Sequence, residues 1–143
     1  KLLNAGRYED AISEYSKQAE LSPRDAGAWS NKGNALDSMG KYEEALTAYD
    51  KALEADPLHA DAWHNKALTF HRMERDGDAV SAFDKALEIN PKNAEAWTNR
   101  GVVLSKLGRH EEALKSHDKA LEIDPDYEQA IYNKIATRSQ MRK

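Results

Sequence analysis

Apolar positions recur along the whole chain at intervals of three and four residues, which is the spacing of one stripe along an α-helix. In 26–39 the stripe is Trp29, Leu36 and Met39 with Ala28 and Ala35, and Gly40 follows it as a helix C-terminal glycine does. A second stripe, Ala45, Leu46, Tyr49, Ala52 and Leu53, runs on until Pro57. Proline lacks an N–H and restricts the residue before it, so it ends that helix and aims the next. The same alternation predicts helices near 8–21, 26–39, 42–55, 60–73, 76–89, 94–107, 110–123 and 128–140. No segment alternates apolar and polar residues as a half-buried strand does.

One period governs these stripes. The four prolines are Pro23, Pro57, Pro91 and Pro125, and the three tryptophans are Trp29, Trp63 and Trp97, each 34 residues after the last. Ala11, Ala45, Ala79 and Ala113 keep the same step. A column of small residues, Gly33, Ala67 and Gly101, marks where two helices must approach closely. Large residues fill the neighbouring columns: Leu36, Phe70 and Leu104, then Tyr15, Tyr49 and Phe83. Small against large gives interdigitated packing. A single helix pair has nothing against which to bury its tryptophan, so the units must stack side by side as a solenoid.

Composition narrows the class of protein. The chain has 143 residues, 21 basic against 25 acidic side chains, a net charge of −4 and no cysteine. Disulfide frameworks, thiolate zinc sites and cysteine nucleophiles are therefore excluded. An acidic balance with pI near 5.7 argues against a general nucleic-acid binder, which needs a basic face. No apolar run reaches the roughly 20 residues that span a bilayer, so a membrane partner is not expected and the cytoplasm is the default location.

The segment 28–57, AWSNKGNALDSMGKYEEALTAYDKALEADP, resembles a tetratricopeptide repeat, whose period is also 34 residues. The resemblance implies an all-α fold, a right-handed superhelical solenoid of antiparallel helix pairs. It divides the chain into three full repeats, 26–59, 60–93 and 94–127. Residues 1–25 correspond to the end of a first helix plus a second helix, and 128–143 to a capping helix or the start of a further repeat. Several positions depart from the family pattern. Lys32, Lys66, Arg100 and Lys134 stand where leucine is usual, which packing tolerates if the aliphatic stem covers apolar surface. Glu74 and Asp76 replace the Gly40 and Tyr42 of the neighbouring repeat, and the only glycine nearby, Gly77, is shifted, so this turn is expected to be the loosest. Ile131, Ile135 and Arg138 replace Trp, a small residue and Leu, which suggests a wetter outer face on the last helix.

Candidate chemistry is sparse. His59, His64, His71, His110 and His117 include no i,i+4 zinc pair and no HExxH. His64 and His71, seven apart beside Asp61, are at most a weak surface metal site and otherwise polar residues of a binding face. His117 falls in the Tyr49 column and reads as a packing substitute. No GxSxG, P-loop or GxGxxG occurs. The chain is thus read as non-catalytic, with neither metal nor cofactor. Glu43–Glu44 and Glu111–Glu112 open second helices, where the dipole favours anions. The basic column Arg7, Lys41, Arg75, Arg109 and Lys143 follows first-helix C-termini and complements the dipole there. The same column also forms a charged stripe able to attract an acidic partner.

The column that points to function is asparagine: Asn31, Asn65, Asn99 and Asn133, one per first helix. The resemblance implies that first helices line a concave groove, and the row is similar to the asparagine ladder of O-GlcNAc transferase repeats. An amide donates and accepts, so such a row can pair with the backbone of an extended peptide of any sequence. The other reading is a bond inside each repeat. Neighbouring columns vary, and the expected peptide-binding groove comprises Asn31, Asn34, His64, Asn65, Leu68, Arg72, Asn99, Val102, Lys106 and Asn133. The clamp by which related repeats grip the C-terminal carboxylates of heat-shock chaperones is matched only at Asn34 and Asn65. Ser30, Glu95 and Asn99 stand where its basic residues belong, and Glu95 repels a carboxylate. The expected function is a protein–protein interaction module for a protein or extended peptide. A self-associating array, a homo-oligomer joined through end repeats, or a regulatory segment of a larger protein is the alternative.

Overall fold

The computed structural model describes residues 5–142. Lys143 and residues 1–4, which belong to the basic column and the first partial repeat, lie outside them. The described residues form α1 (Ala5–Leu21), α2 (Ala26–Ser38), α3 (Tyr42–Ala55), α4 (Ala60–Arg72), α5 (Asp76–Ile89), α6 (Ala94–Lys106), α7 (His110–Ile123) and α8 (Glu128–Met141), with no strand among them. The fold is all-α. Contacts divide the chain into two units, one up to Thr69 and one from Phe70, with the boundary inside α4.

Each link between helices has a local cause. After α2, Gly40 takes φ +79°, the Gly40 amide donates to Asp37 O at 2.9 Å and the Lys41 amide to Leu36 O at 2.9 Å. That pair of bonds is the Schellman motif, which satisfies the orphan carbonyls of a helix end. The same two bonds recur at Gly108–Arg109 and at Glu74–Arg75. Because residues 39, 73 and 107 belong to this motif, the first helices stop one residue short of their expected ends. The turn expected to be loosest is instead bonded like its neighbours. Glu74 itself adopts the left-handed conformation, φ +62°, while Arg75 covers the Phe70 ring at 4.8 Å and pairs with Asp78 at 2.9 Å.

At the other end of each pair the chain turns at Asp56-Pro57, Asn90-Pro91 and Asp124-Pro125. The Asx side chain there accepts the amide two residues on, at 3.1, 3.3 and 3.2 Å. Asp25 and Asn93 cap the following helices by accepting from Ala28 N and Ala96 N, both at 3.1 Å. The shared period of proline and tryptophan has its explanation here. Trp29, Trp63 and Trp97 each donate Nε1–H to the carbonyl of the proline six residues earlier, at 3.1, 3.4 and 2.8 Å.

In the first unit α2 packs between α1 and α3. Leu36, Ala45, Ala48 and Tyr49 form one core cluster, with Ile12 and Trp29 against it, and Ala26, Ala52 and Ala62 form another. In the second unit α6 packs on α5 and α7, and α8 on α7 and α6. The small columns do what their size suggests. A Cβ at Gly33 would stand 2.5 Å from the Tyr49 ring, and one at Gly101 would stand 2.4 Å from His117 Cε1. The basic residues in the leucine column lie over tryptophan rings, Lys32 at 5.3 Å, Lys66 at 5.1 Å and Arg100 at 5.7 Å. Lys66, Arg100 and Lys134 also pair with Asp50, Asp84 and Asp118 at 2.7, 2.7 and 2.6 Å. Cation–π attraction plus an ion pair therefore replaces the aliphatic contact.

One expectation changes. Gly6 and Arg7, which correspond to the turn residues Gly40 and Lys41, lie inside the continuous helix α1. The outer face of α8 is exposed and mixed: Ile131 is 41% and Ile135 61% exposed, and Glu128 and Arg138 on the same stripe are exposed too. Lys41, Arg75 and Arg109 are also the N-cap residues of α3, α5 and α7, with no side-chain cap bond. A cation gains at one dipole and loses at the next. What settles Arg109 is its fork on Glu112, at 2.7 and 2.8 Å, which holds the Glu112 carboxyl below its ordinary range.

Candidate peptide-binding face

The residues expected to form the site fall on first helices, some in each unit. In the first unit, α2 carries Asn31 and Asn34, both exposed, and α4 carries the half-buried Asn65 and Leu68. The two helices are tied where Thr69 Oγ1 donates to Asp37 Oδ2 at 3.0 Å. Asn34 is already engaged, because the buried Tyr49 hydroxyl donates to its Oδ1 at 2.6 Å. One asparagine of the expected site thus anchors a core phenol through its carbonyl oxygen, and its NH₂ takes no part in that bond.

His64 departs from its expected place. It is only 7% exposed, and its column mates Ser30 and Thr98 are buried too, while Tyr132 is 70% exposed. This column therefore faces into the helix packing, and His64 presents little surface to a ligand. The suggested His64–His71 metal site is not assembled. His71 Nδ1 lies 2.8 Å from Asp76 Oδ1, and the described residues contain no group of three or more metal-ligating side chains.

In the second unit, Arg72 and Lys106 are exposed, and Asn99, Val102 and Asn133 are half-buried. Lys106 Nζ stands 3.9 Å from Asp76 Oδ2, so the buried Asp76 carboxylate faces both His71 and Lys106. Across the gap between α6 and α8, Ser105 Oγ donates to Gln140 Oε1 at 3.1 Å. Beside that bond lies a cavity of about 250 Å³, lined among others by Val102, Lys106, Asn133 and Ala136 and by His117. Sequence reasoning placed Val102, Lys106 and Asn133 in a groove but treated His117 as packing alone. The structure does both. The ring packs under Gly101 and is completely buried, yet it borders the cavity. Burial holds its pKa below the ordinary imidazole value, Lys134 adds to that, and Asp118 opposes it.

Repeated helix pairs, close-packed through glycine and alanine and presenting variable side chains on their first helices, define an α-helical repeat protein. The chain belongs to the tetratricopeptide repeat family, whose models match residues 30–94 and 94–127. A comparison with curated protein sequences gave no match. Among solved structures, the crystal structure of MamA is similar with TM-score 0.86 over 95% of this chain and 80% of that one. Its 20% identity makes that a likeness of fold. YrrB, described as a TPR protein with an unusual peptide-binding site, is 28% identical with TM-score 0.78, covering 96% of this chain and 71% of that one. The first TPR of Spaghetti (RPAP3), bound to the HSP90 peptide SRMEEVD, is 28% identical with TM-score 0.79, covering 83% and 94%. No described helix is long and apolar enough to cross a membrane.

Proposed function

We propose that this chain is a non-catalytic interaction module that binds an extended peptide or protein segment on the face carried by its first helices. The observation that carries the reading is the asparagine row Asn31, Asn65, Asn99 and Asn133, exposed or half-buried on α2, α4, α6 and α8 and flanked by side chains that differ from repeat to repeat. Amides at a fixed interval suit backbone capture, because every peptide offers the same N–H and C=O groups. The variable neighbours then select the sequence. The HSP90 peptide bound to RPAP3 and the peptide-binding site of YrrB support a peptide as the kind of ligand. A chaperone-tail clamp is not favoured, since Ser30 is buried and Glu95 is acidic.

The test is a random-peptide selection against the chain, followed by titration of a selected peptide against an Asn65→Ala/Asn99→Ala variant. We expect affinity to fall by about tenfold or more for two lost amide pairs, with the melting temperature little changed. Unchanged affinity at unchanged stability would remove the amide row from the mechanism. A self-associating array is the second reading, favoured by the exposed Ile131 and Ile135 on α8. Sedimentation of an Ile131→Lys/Ile135→Lys variant distinguishes it: an assembly built on this face dissociates, and a monomeric wild type ends that reading.

A further inference from the structure

We infer that the cavity between α6 and α8 is a subsite for a hydroxyl-bearing aromatic side chain, of the tyrosine class, supplied by a bound peptide, with the His117 imidazole as its polar floor. This rests on the peptide-binding reading above and names what one part of that face selects.

The first observation is a mismatch between two columns fifteen residues apart. In the first full repeat they hold Asn34 and Tyr49, joined by a 2.6 Å hydrogen bond. In the second they hold Leu68 and Phe83, neither of which needs a polar partner. In the third they hold Val102 and His117, a polar ring matched with an aliphatic side chain. His117 is completely buried, and neither ring nitrogen has a hydrogen-bond partner. Buried polar side chains nearly always have one. The partner that the repeat elsewhere builds into the chain is here left for something that enters from outside.

The second observation is space. Imidazole is shorter than phenol, and valine shorter than asparagine, so this pair fills less space than Asn34 and Tyr49 do. The resulting cavity, about 250 Å³, exceeds the roughly 150 Å³ that accepts a benzene ring and lies below the range of drug-sized pockets. It suits one aromatic side chain. Val102 and Ala136 supply apolar walls, and Asn133 and Gln140 supply amides.

Chemistry then decides among aromatic side chains. A neutral imidazole offers one N–H donor and one bare acceptor nitrogen. A phenol hydroxyl both donates and accepts, so it can serve either nitrogen in either tautomer. A carboxylate only accepts, so it can meet the N–H but not the bare nitrogen, and it must also give up its hydration to enter. Lys106, the cation at the rim, faces Asp76 at 3.9 Å, which offsets its attraction for an acid.

The test follows the imidazole ¹⁵N and ring-proton resonances of His117 in the full chain during titration with p-cresol. Toluene and 4-methylbenzoate serve as the hydroxyl-free and acidic analogues. We expect a saturable His117 shift with p-cresol, and binding at least about tenfold weaker for toluene, because a site built around a hydroxyl rejects the analogue lacking it. The His117→Phe variant should fold, since Phe83 stands in this column, and should lose the preference for p-cresol. Val102→Asn, which restores the Asn34 arrangement, should give His117 an internal partner and abolish binding. No saturable His117 shift, equal binding of toluene, or tighter binding of 4-methylbenzoate overturns the subsite. Peptide capture that depends on Asn65 and Asn99 but ignores tyrosine also overturns it while leaving the groove reading intact. Selective p-cresol binding alongside peptide affinity insensitive to those asparagines upholds the subsite and removes the groove reading instead.

Discussion

Replacing Gly101 with alanine tests the packing that holds the third repeat together. The added Cβ would lie 2.4 Å from His117 Cε1 and 2.8 Å from both ring nitrogens, against 3.4 Å or more for ordinary contact. About 1 Å must therefore be found between α6 and α7. The ring is completely buried, and the space open to it is the cavity it borders, so only part of the overlap can be relieved. Overpacking of this kind costs about 1–3 kcal/mol, and alanine recovers up to about 1 kcal/mol of helix propensity. The net expectation is a loss of about 1–2 kcal/mol, a fall of roughly 3–8 °C in Tm. Gly77→Ala is the internal control. It stands in the first turn of α5 with nothing within 4 Å of its would-be Cβ, so the same substitution should stabilise by about 0.5–1 kcal/mol. Thermal and urea unfolding followed by circular dichroism would read both. If Gly101→Ala is as stable as the parent chain, the close approach of α6 to His117 is not what the small column is for.

Three further outcomes follow from the same geometry. Tyr49→Phe removes the 2.6 Å bond to Asn34 but keeps the ring; the exposed Asn34 regains water, so the urea midpoint should fall by only about 0.5–1.5 kcal/mol equivalent, and a larger loss would mean that the ring itself moves. The folded-state pKa of His117 lies below its ordinary value because of burial, so the unfolded chain binds the proton first. Stability should then fall as pH drops below about 6.5, and the loss between pH 7 and 5 should be smaller in His117→Phe; equal losses would refute it. Glu74→Gly relieves a left-handed residue at about 1–2 kcal/mol against about 0.4–1 kcal/mol of added unfolded-state entropy, so a modest rise in Tm is expected, and a fall would show that Glu74 makes a compensating contact.

Helix positions were legible because they are written three times over. The stripe and the proline of each repeat agree, with a glycine in the first and third, and the helices end within a residue of where periodicity puts them. The small columns were legible as well, since only a close approach explains Gly33, Ala67 and Gly101 at one interval. Side-chain pairing across helices was not. Whether Tyr49 reaches Asn34 or its own repeat's backbone depends on rotamer and on a fifteen-residue offset between helices, neither of which the 3.6-residue period encodes. His64 was misplaced for a related reason. Its column alternates Ser, His, Thr and Tyr, a polarity that reads as solvent-facing although three of the four are buried. A usable signal did exist for His117. Set beside each other, the two columns change together, Asn with Tyr, Leu with Phe, Val with His, and only the last pair is chemically unmatched.

That pattern separates two jobs within one fold. Columns that repeat without change, such as the prolines and the asparagine row, place the same group in every unit and can supply only what every unit needs: a fixed helix turn, or contact with a backbone that is the same at every residue. Selectivity has to come from columns where the period breaks, because only there does one repeat differ from the next. The breaks in this chain are not scattered evenly. In the third repeat the Asn–Tyr lock is replaced by Val and His, the replacement leaves a buried ring without a partner, and a cavity opens beside it among the side chains of α6 and α8. An unpartnered buried polar group costs about 1–3 kcal/mol, and restoring the phenol and amide of the first repeat would remove that cost. A chain that already holds the stabler solution at Tyr49 and lacks it at His117 carries a local loss of stability at the place where a ligand's hydroxyl would recover it.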